Sequence, residues 1–353
     1  MPAWYYGGGG RDSVARDRPR GHHVTAPRPT HDFSRMSRIF VHGWGAVSPA
    51  GWGCDSLVNA LAAETPWPEV SLPGPPGSQL PARRVPPITP RPVWLAQSRL
   101  RRSSAISQFT VGAALEALAQ AEAVAGAPID RERLGIVCSV YGGSVIYSRR
   151  FFEEVLQNPA LASPLLFPET VFNAPSSHLS AVLGSTAPNH TVLGDQTGFL
   201  QALAVAADWL IDRRIDACLV VGAEEWDWST TVAARLYDRA ASLSEGAGAL
   251  VLRREPGPVE LKGISSPIPF VPGIDRPAAA ARVQAELSDT FPETDFPSLR
   301  TKRVLGEGLA ATAAWECVAQ VAGIAGTSAT RSVVIAGANL QALGVTFGRT
   351  KPA

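Results

Sequence analysis

An α/β fold with helices on both faces of its sheets is the class this sequence predicts, on three observations. Short apolar runs of strand character alternate along the chain with longer helical patterns. Those helical patterns are rich in Ala and Leu, as helices buried between layers are. The later part of the chain repeats the same alternation in shorter form, so two similar halves are expected, the second shortened.

The elements follow in order. Phe40 to Val47 reads as a buried strand stopped by Ser48-Pro49 and glycines 51 and 53, and Cys54 to Ala63 as a helix with Asp55 in its first turn. Residues 66 to 92 hold ten prolines. They are expected to be a surface loop, or an arm laid against a partner, and neither helix nor central strand. A long helix over Ser104 to Ala125 leads to a strand at Leu134 to Val140 and the turn Tyr141-Gly142-Gly143. An amphipathic helix near Arg149 to Gln157, a proline-punctuated loop and a helix near Ser177 to Leu183 come next.

A strand at Thr191 to Gly194, a helix from Thr197 to Ile211 and a strand at Ala217 to Gly222 form a βαβ-like unit. Strands at Gly248 to Arg253 and Val259 to Gly263 follow. A helix at Gly308 to Ala322 and strands at Ser332 to Ala336 and Leu343 to Phe347 close the chain. Residues 1–35 carry a glycine run, six arginines and three aspartates without apolar periodicity. They read as a disordered tail, or as sequence ahead of a true start at Met36. The expected division is 1–35, then 36–253 as the first half and 254–353 as the second.

Composition excludes several functions. With 32 basic against 31 acidic residues the net charge is +1, which gives no long-range field toward nucleic acid or anionic lipid. No apolar run reaches the length of a membrane span. Four cysteines, at 54, 138, 218 and 317, are too sparse for a disulfide scaffold or a paired zinc motif, so a cytoplasmic protein without metal or cofactor is expected. The acidic run Glu224, Glu225 and Asp227 is a poor metal site because neighbouring carboxylates point apart. Gly142-Gly143-Ser144 lacks the Gly-Lys-Ser/Thr of a phosphate loop.

Five stretches in order carry a resemblance: VHGWGAVSPAGWG (41–53), the region from Phe167 through Asn173 and Ala174 to DACLVVGAEE (216–225), SEGAGALVL (244–252), TKRVLGEGLAATAAWE (301–316) and IAGAN (335–339). Together they resemble the β-ketoacyl synthases of fatty acid and polyketide assembly, over nearly all of 36–350. The resemblance implies a thiolase-like αβαβα layered sandwich of two halves, usually dimeric. It also implies a chemistry in which a cysteine at the start of a buried helix, assisted by two histidines, condenses an acyl chain with malonyl on acyl carrier protein.

The catalytic positions are degenerate. TVLGDQTGF (191–199) puts Gln196 at the nucleophile's place, and no cysteine lies between 138 and 218, so no small shift restores one. Cys218 falls mid-strand and reads as a core residue. All six histidines precede Gln196, whereas the family's two follow its nucleophile. Glu307 stands where the second histidine should be, and an ionised carboxylate cannot donate a hydrogen bond. Lys302 and Glu316 match the family's lysine and glutamate, and a buried ion pair between them is expected. Gly337 and Asn339 keep the C-terminal glycine turn, while Ile335 replaces the family's gating phenylalanine.

Two uses of such a protein follow from the resemblance. One is a chain length factor, the non-catalytic partner of an active ketosynthase, working with acyl carrier protein. Its interface should be large and apolar, and Phe199, Trp209, Trp226 and Trp228 belong either to that interface or to the core. The other is a glutamine ketosynthase that decarboxylates malonyl on its carrier, which still needs donors for the enolate. A non-catalytic scaffold that binds carrier protein is a third reading, and Arg101, Arg102, Arg149 and Arg150 could then receive an acidic helix.

Overall fold

In the computed structural model, which describes the backbone of His31–Asp32 and residues 38–350 except 73, 75, 76, 79, 240, 272–274 and 328, the chain starts with β1 (His31–Asp32) and β2 (Ile39–Ser48). β3 (Gly51–Trp52) folds back on the end of β2, and α1 (Cys54–Ala63) follows. β4 (Val70–Ser71) and β5 (Pro81–Arg83) interrupt the proline-rich stretch, α2 (Ala105–Ala125) ends on Gly126, and β6 (Leu134–Val140) is buried at every residue. Then come α3 (Val145–Gln157), α4 (Ala174–Leu183), β7 (Asn189–Leu193), α5 (Gln196–Ile211), β8 (Ala217–Glu224) and α6 (Trp228–Tyr237). β9 (Leu243–Ser244), β10 (Gly246–Arg253), β11 (Val259–Ile264), β12 (Ile268–Pro269) and α7 (Arg276–Thr290) lead to β13 (Thr294–Asp295), α8 (Thr301–Leu305), α9 (Ala310–Ala325), β14 (Thr330–Ala336) and β15 (Gln341–Arg349).

The main strands run in the order β7-β6-β8-β10-β2 and continue β11-β15-β14-β13. In the first half β6 is parallel to β8, β8 antiparallel to β10 and β10 antiparallel to β2. The second half repeats this pattern: β13 is parallel to β14, β14 antiparallel to β15 and β15 antiparallel to β11. Its counterpart of β6 is the two-residue β13, and it has no counterpart of β7 among the described residues. The two halves join edge to edge through β2 and β11, with Val41 opposite Val259 and Ile39 opposite Leu261.

Helices fill three of five layers, and the two sheets fill the others. α2 packs on the outer face of the first sheet with α4 beside it, and α7 covers the outer face of the second. α5 and α9 lie between the two sheets, touching each other and strands of both. Their composition suits the place, because α9 buries Ala310, Ala311, Ala313, Ala314, Trp315 and Val318, and small side chains let a helix approach two sheets at once. This is the layered αβαβα sandwich with a shortened second half that the sequence predicts.

Three expectations change. The proline-rich stretch is not all surface loop: β5 is the middle strand of a small sheet, β4-β5-β9. Pro81 opens that strand, where a missing N–H is tolerated, and Leu72, Leu80 and Ala82 bury against Trp228. The stretch between Gly263 and Gly308, for which no helix is expected, holds α7. Its buried Ala279, Val283 and Leu287 recur every four residues, a helical stripe legible in the sequence. Within the predicted tail, His31–Asp32 pair antiparallel with Gly263–Ile264; its other residues and Met36 lie outside the described ones.

Candidate functional site

The middle-layer helices bring the candidate residues together at their N-termini. β7 ends at Leu193, and Asp195 caps α5, accepting from the backbone N–H and the hydroxyl of Thr197, both at 2.8 Å. Capping of this kind satisfies donors that the helix start leaves without partners. Gln196 is therefore the first residue of α5, buried, at the positive end of the helix. Its side-chain Nε2 donates to Glu307 Oε2 at 2.8 Å, while its Oε1 is buried with no hydrogen-bond partner.

Glu307 is fixed before its side chain is considered. Its N–H donates to Ser242 O at 2.7 Å and its carbonyl accepts from Ser244 N at 2.9 Å, so β9 holds it from both sides. Gly306 makes this possible: at φ 94° it takes a backbone form that suits glycine, and a Cβ there would lie 2.6 Å from Ser242 O. Glu307 Oε1 accepts from Leu309 N at 2.8 Å and from the Thr312 hydroxyl at 3.2 Å. Oε2 accepts from Gln196 and faces Lys302 Nζ at 3.3 Å. Leu309, at φ 46°, is a non-glycine residue held in strained backbone at the start of α9.

Lys302 and Glu316 do not form the expected ion pair. Glu316 is buried and accepts at Oε2 from Arg300 N at 3.2 Å, Thr301 N at 3.3 Å and the Thr301 hydroxyl at 3.1 Å, and at Oε1 from Gln320 at 3.0 Å. It anchors the first turn of α8. That turn carries Lys302 away from Glu316 and toward Glu307, with its side chain 56% exposed. Two matching residues in a motif need not be partners.

The C-terminal turn closes on the same place from the second sheet. Asn339 N donates to Asp195 Oδ2, and Gln341 Nε2 donates to Thr197 Oγ1 at 2.9 Å. Gly337 sits so near that a Cβ would fall 2.3 Å from Asp195 Oδ2, so only glycine fits. Asn339 contributes its backbone and remains exposed. Asp195 and Thr312, absent from the expected residues, join the candidates to one another. For Asp195 a signal existed, since an Asp ahead of an apolar helical pattern is a capping signature.

Other candidates resolve into structure. The four cysteines are buried and unpaired, and burial pushes the Cys54 and Cys138 thiols up to about 12 and those of Cys218 and Cys317 further above their usual range. Phe199 is wholly buried between the sheets and Trp226 donates to Ser244 O at 2.8 Å, so both are core rather than interface. Trp209 is half-buried beneath the Arg214 guanidinium, and Trp228 packs on the small sheet.

Glu224 and Glu225 point to different partners. Glu224 accepts from the N–H groups of Tyr141 and Gly142, and Glu225 from Ser104, Ile106 N and Ile146 N. Arg149 is spent on Asp227 and Glu153, whereas Arg101, Arg102 and Arg150 are exposed and joined through Tyr147, which donates to Arg102 O and lies under Arg150.

Chemically, the arrangement offers an amide at the first residue of α5 and a carboxylate whose two oxygens already accept four contacts. His42 bonds Glu255 O at 2.8 Å and His178 bonds Glu169 at 2.8 Å. Neither is among the hydrogen-bond partners of Gln196 or Glu307.

Comparison with known proteins adds a match over part of the chain. Residues 89–256 match the family model of the beta-ketoacyl synthase N-terminal domain. No curated protein matches the sequence. Among solved structures, the ishigamide ketosynthase/chain length factor is similar over 89% of this chain and 100% of its own, with TM-score 0.75 at 18% identity. A ketosynthase (ApeO) in complex with its chain length factor (ApeC) from Xenorhabdus doucetiae covers 89% of this chain and 98% of its own, with TM-score 0.67 at 15% identity. A type II PKS acyl-carrier protein in complex with its ketosynthase (AntDE:AntF) covers 89% and 100%, with TM-score 0.70 at 16% identity. At such identities the likeness establishes the fold. No helix among the described residues is long and apolar enough to cross a membrane.

Proposed function

We propose, from the match of residues 89–256 to the β-ketoacyl synthase N-terminal domain and the ketosynthase-like fold, that the protein is a non-catalytic, chain-length-factor-type subunit. It pairs with an active β-ketoacyl-ACP synthase in the cytoplasm during polyketide, polyene or fatty-acid-like chain elongation. The observation that carries this reading is the hydrogen bond between Gln196 and Glu307. The positions that would hold the nucleophile and the second histidine are taken by residues that bond to each other. An amide at the helix N-terminus forms no acyl thioester, and the carboxylate offers no donor to a malonyl carbonyl or to an enolate.

A subunit without chemistry is kept for its surfaces, and the surface supports a partner. β7 is an end strand of the large sheet, with backbone groups open to pairing. Leu193 on β7 is 57% exposed, and on α3 and the segment after it Phe152, Leu156, Leu161, Leu165 and Phe172 are each 45–79% exposed. An open sheet edge and exposed apolar side chains both favour an interface, and a ketosynthase of the same fold would bring an edge of its own to pair. The exposed Arg101, Arg102 and Arg150 suit the acidic surface of acyl carrier protein.

The test is co-expression with an intact ketosynthase from the same source, followed by native mass spectrometry. A 1:1 heterodimer that forms only on co-expression, and that elongates acyl chains on carrier protein, supports the reading. A stable homodimer that ignores the ketosynthase overturns it, and carbon dioxide release from malonyl carrier protein by this protein alone would replace it with the decarboxylase.

A further inference from the structure

A second cavity lies away from Gln196, where the two sheets part. β2 pairs with β11 only as far as Val41, and beyond that point its free edge is served by side chains of α2. Gln120 Oε1 accepts from Trp44 N at 2.9 Å and Glu116 Oε2 accepts from Ala46 N at 2.9 Å. α1 and α9 flank the opening, leaving a half-open cleft of about 570 Å³. That volume is within the usual range of small-molecule sites.

The lining divides by chemistry. Trp44, Val58, Leu61, Ala319 and Ala322 supply apolar walls. The buried acceptors are already used: Glu116 takes Ala46 N and, at 2.8 Å, Cys54 N, and Glu316 takes the four donors described above. The donors are not. Arg331, half-buried, makes one long contact at 3.3 Å to Gln320 Oε1 and lies against Gly323, where a Cβ would come 2.6 Å from its Nη1. Arg300 faces the same cleft and reaches Glu64 at 3.3 Å.

We propose that this cleft binds a small amphipathic monocarboxylate, its apolar body between α1 and α9 and its carboxylate on Arg331, with Arg300 completing the charge. The guanidinium fork matches a carboxylate in shape and donor spacing. A single negative charge fits better than a phosphate dianion because Asp55, Glu116 and Glu316 line the same cleft. Burial raises the Glu116 carboxyl above its usual range, which lessens its repulsion of an anion. Neither Gln196 nor Glu307 is among the residues that line it.

Isothermal titration of the full chain with octanoate, and with octanol as the uncharged control, tests it. One saturable octanoate site is expected, with octanol weaker by about tenfold, the worth of a charged hydrogen bond. Arg331→Gln should weaken octanoate by about tenfold, and Val58→Trp, on an exposed position of α1 that tolerates bulk, should remove binding by filling the cleft. Absence of saturable binding, equal binding of octanol, or binding unchanged in either folded variant would overturn the proposal.

Discussion

The side-chain amide of Gln196 and the carboxylate of Glu307 face each other at 2.8 Å across the starts of α5 and α9. The two helices come from different halves of the fold, so this bond ties the halves together at the middle of the sandwich. It also makes the two replaced positions mutually dependent. Gln196 would leave its donor unpaired without Glu307, and Glu307 would lose one of its four partners without Gln196.

That dependence is measurable. Glu307→Ala strands buried donors of Gln196, Leu309 and Thr312 and should cost about 2–4 kcal/mol. Gln196→Ala alone should cost less, about 1 kcal/mol. In a double-mutant cycle read by urea denaturation, the coupling should be favourable by about 1 kcal/mol. Simple additivity would mean that the bond contributes nothing in solution.

Gln196→Cys should not restore condensation. The new thiol would gain the helix dipole but would sit against the Glu307 carboxylate, which raises a thiol pKa and disfavours thiolate, and no histidine replaces the missing donors. Turnover with acyl and malonyl carrier proteins at the rate of an intact ketosynthase would refute this.

Glu316 and Lys302 should behave as separate residues. Glu316→Ala orphans two backbone N–H groups at the start of α8 and should destabilise by about 2–4 kcal/mol. Lys302→Ala removes a largely exposed charge and should change stability by no more than about 0.5 kcal/mol. Equal losses by thermal denaturation would instead point to the ion pair that the motif suggests.

Stability should fall as pH rises from about 5 to 8. Burial pushes the Glu224 carboxyl up to about 8 and that of Glu225 to about 7, against an ordinary 4.5, and the N–H donors around each offset only part of that cost. The folded form thus holds its protons more tightly than the unfolded form. This contribution is complete below about 4.5 and lost as pH passes through 7 to 8. The melting temperature should drop by roughly 2–5 °C between pH 5.5 and 8.5, and Glu224→Gln should flatten the profile. A melting temperature that rises over this range in the wild-type protein would contradict the assignment.

Charge placed on the open edge should block the partner without harming the fold. Leu193 is 57% and Phe152 60% exposed, so Leu193→Lys with Phe152→Glu should leave the melting temperature within about 2 °C while abolishing the heterodimer in native mass spectrometry. A complex that survives both changes would move the interface elsewhere.

The alternation of apolar runs and Ala-rich helices determined the α/β class, because periodicity and burial are local properties of a chain, while the layered sandwich was implied by the resemblance to β-ketoacyl synthases. The resemblance also led to the expectation that Gln196 and Glu307 hold degenerate positions, since residue identity at a motif needs no coordinates. α7 was legible in its four-residue stripe, and Asp195 in its place ahead of a helix. What tertiary structure decided is who meets whom. Lys302 turns to Glu307 rather than Glu316 because α8 is anchored by the very carboxylate it was expected to pair with. β5 becomes the middle strand of the small sheet because β9 arrives from 161 positions later in the chain, and the cleft at Arg331 exists because β2 and β11 part after Val41. Each of these depends on contacts between segments far apart in sequence, and their register is set by the packing of whole layers, which no local pattern encodes.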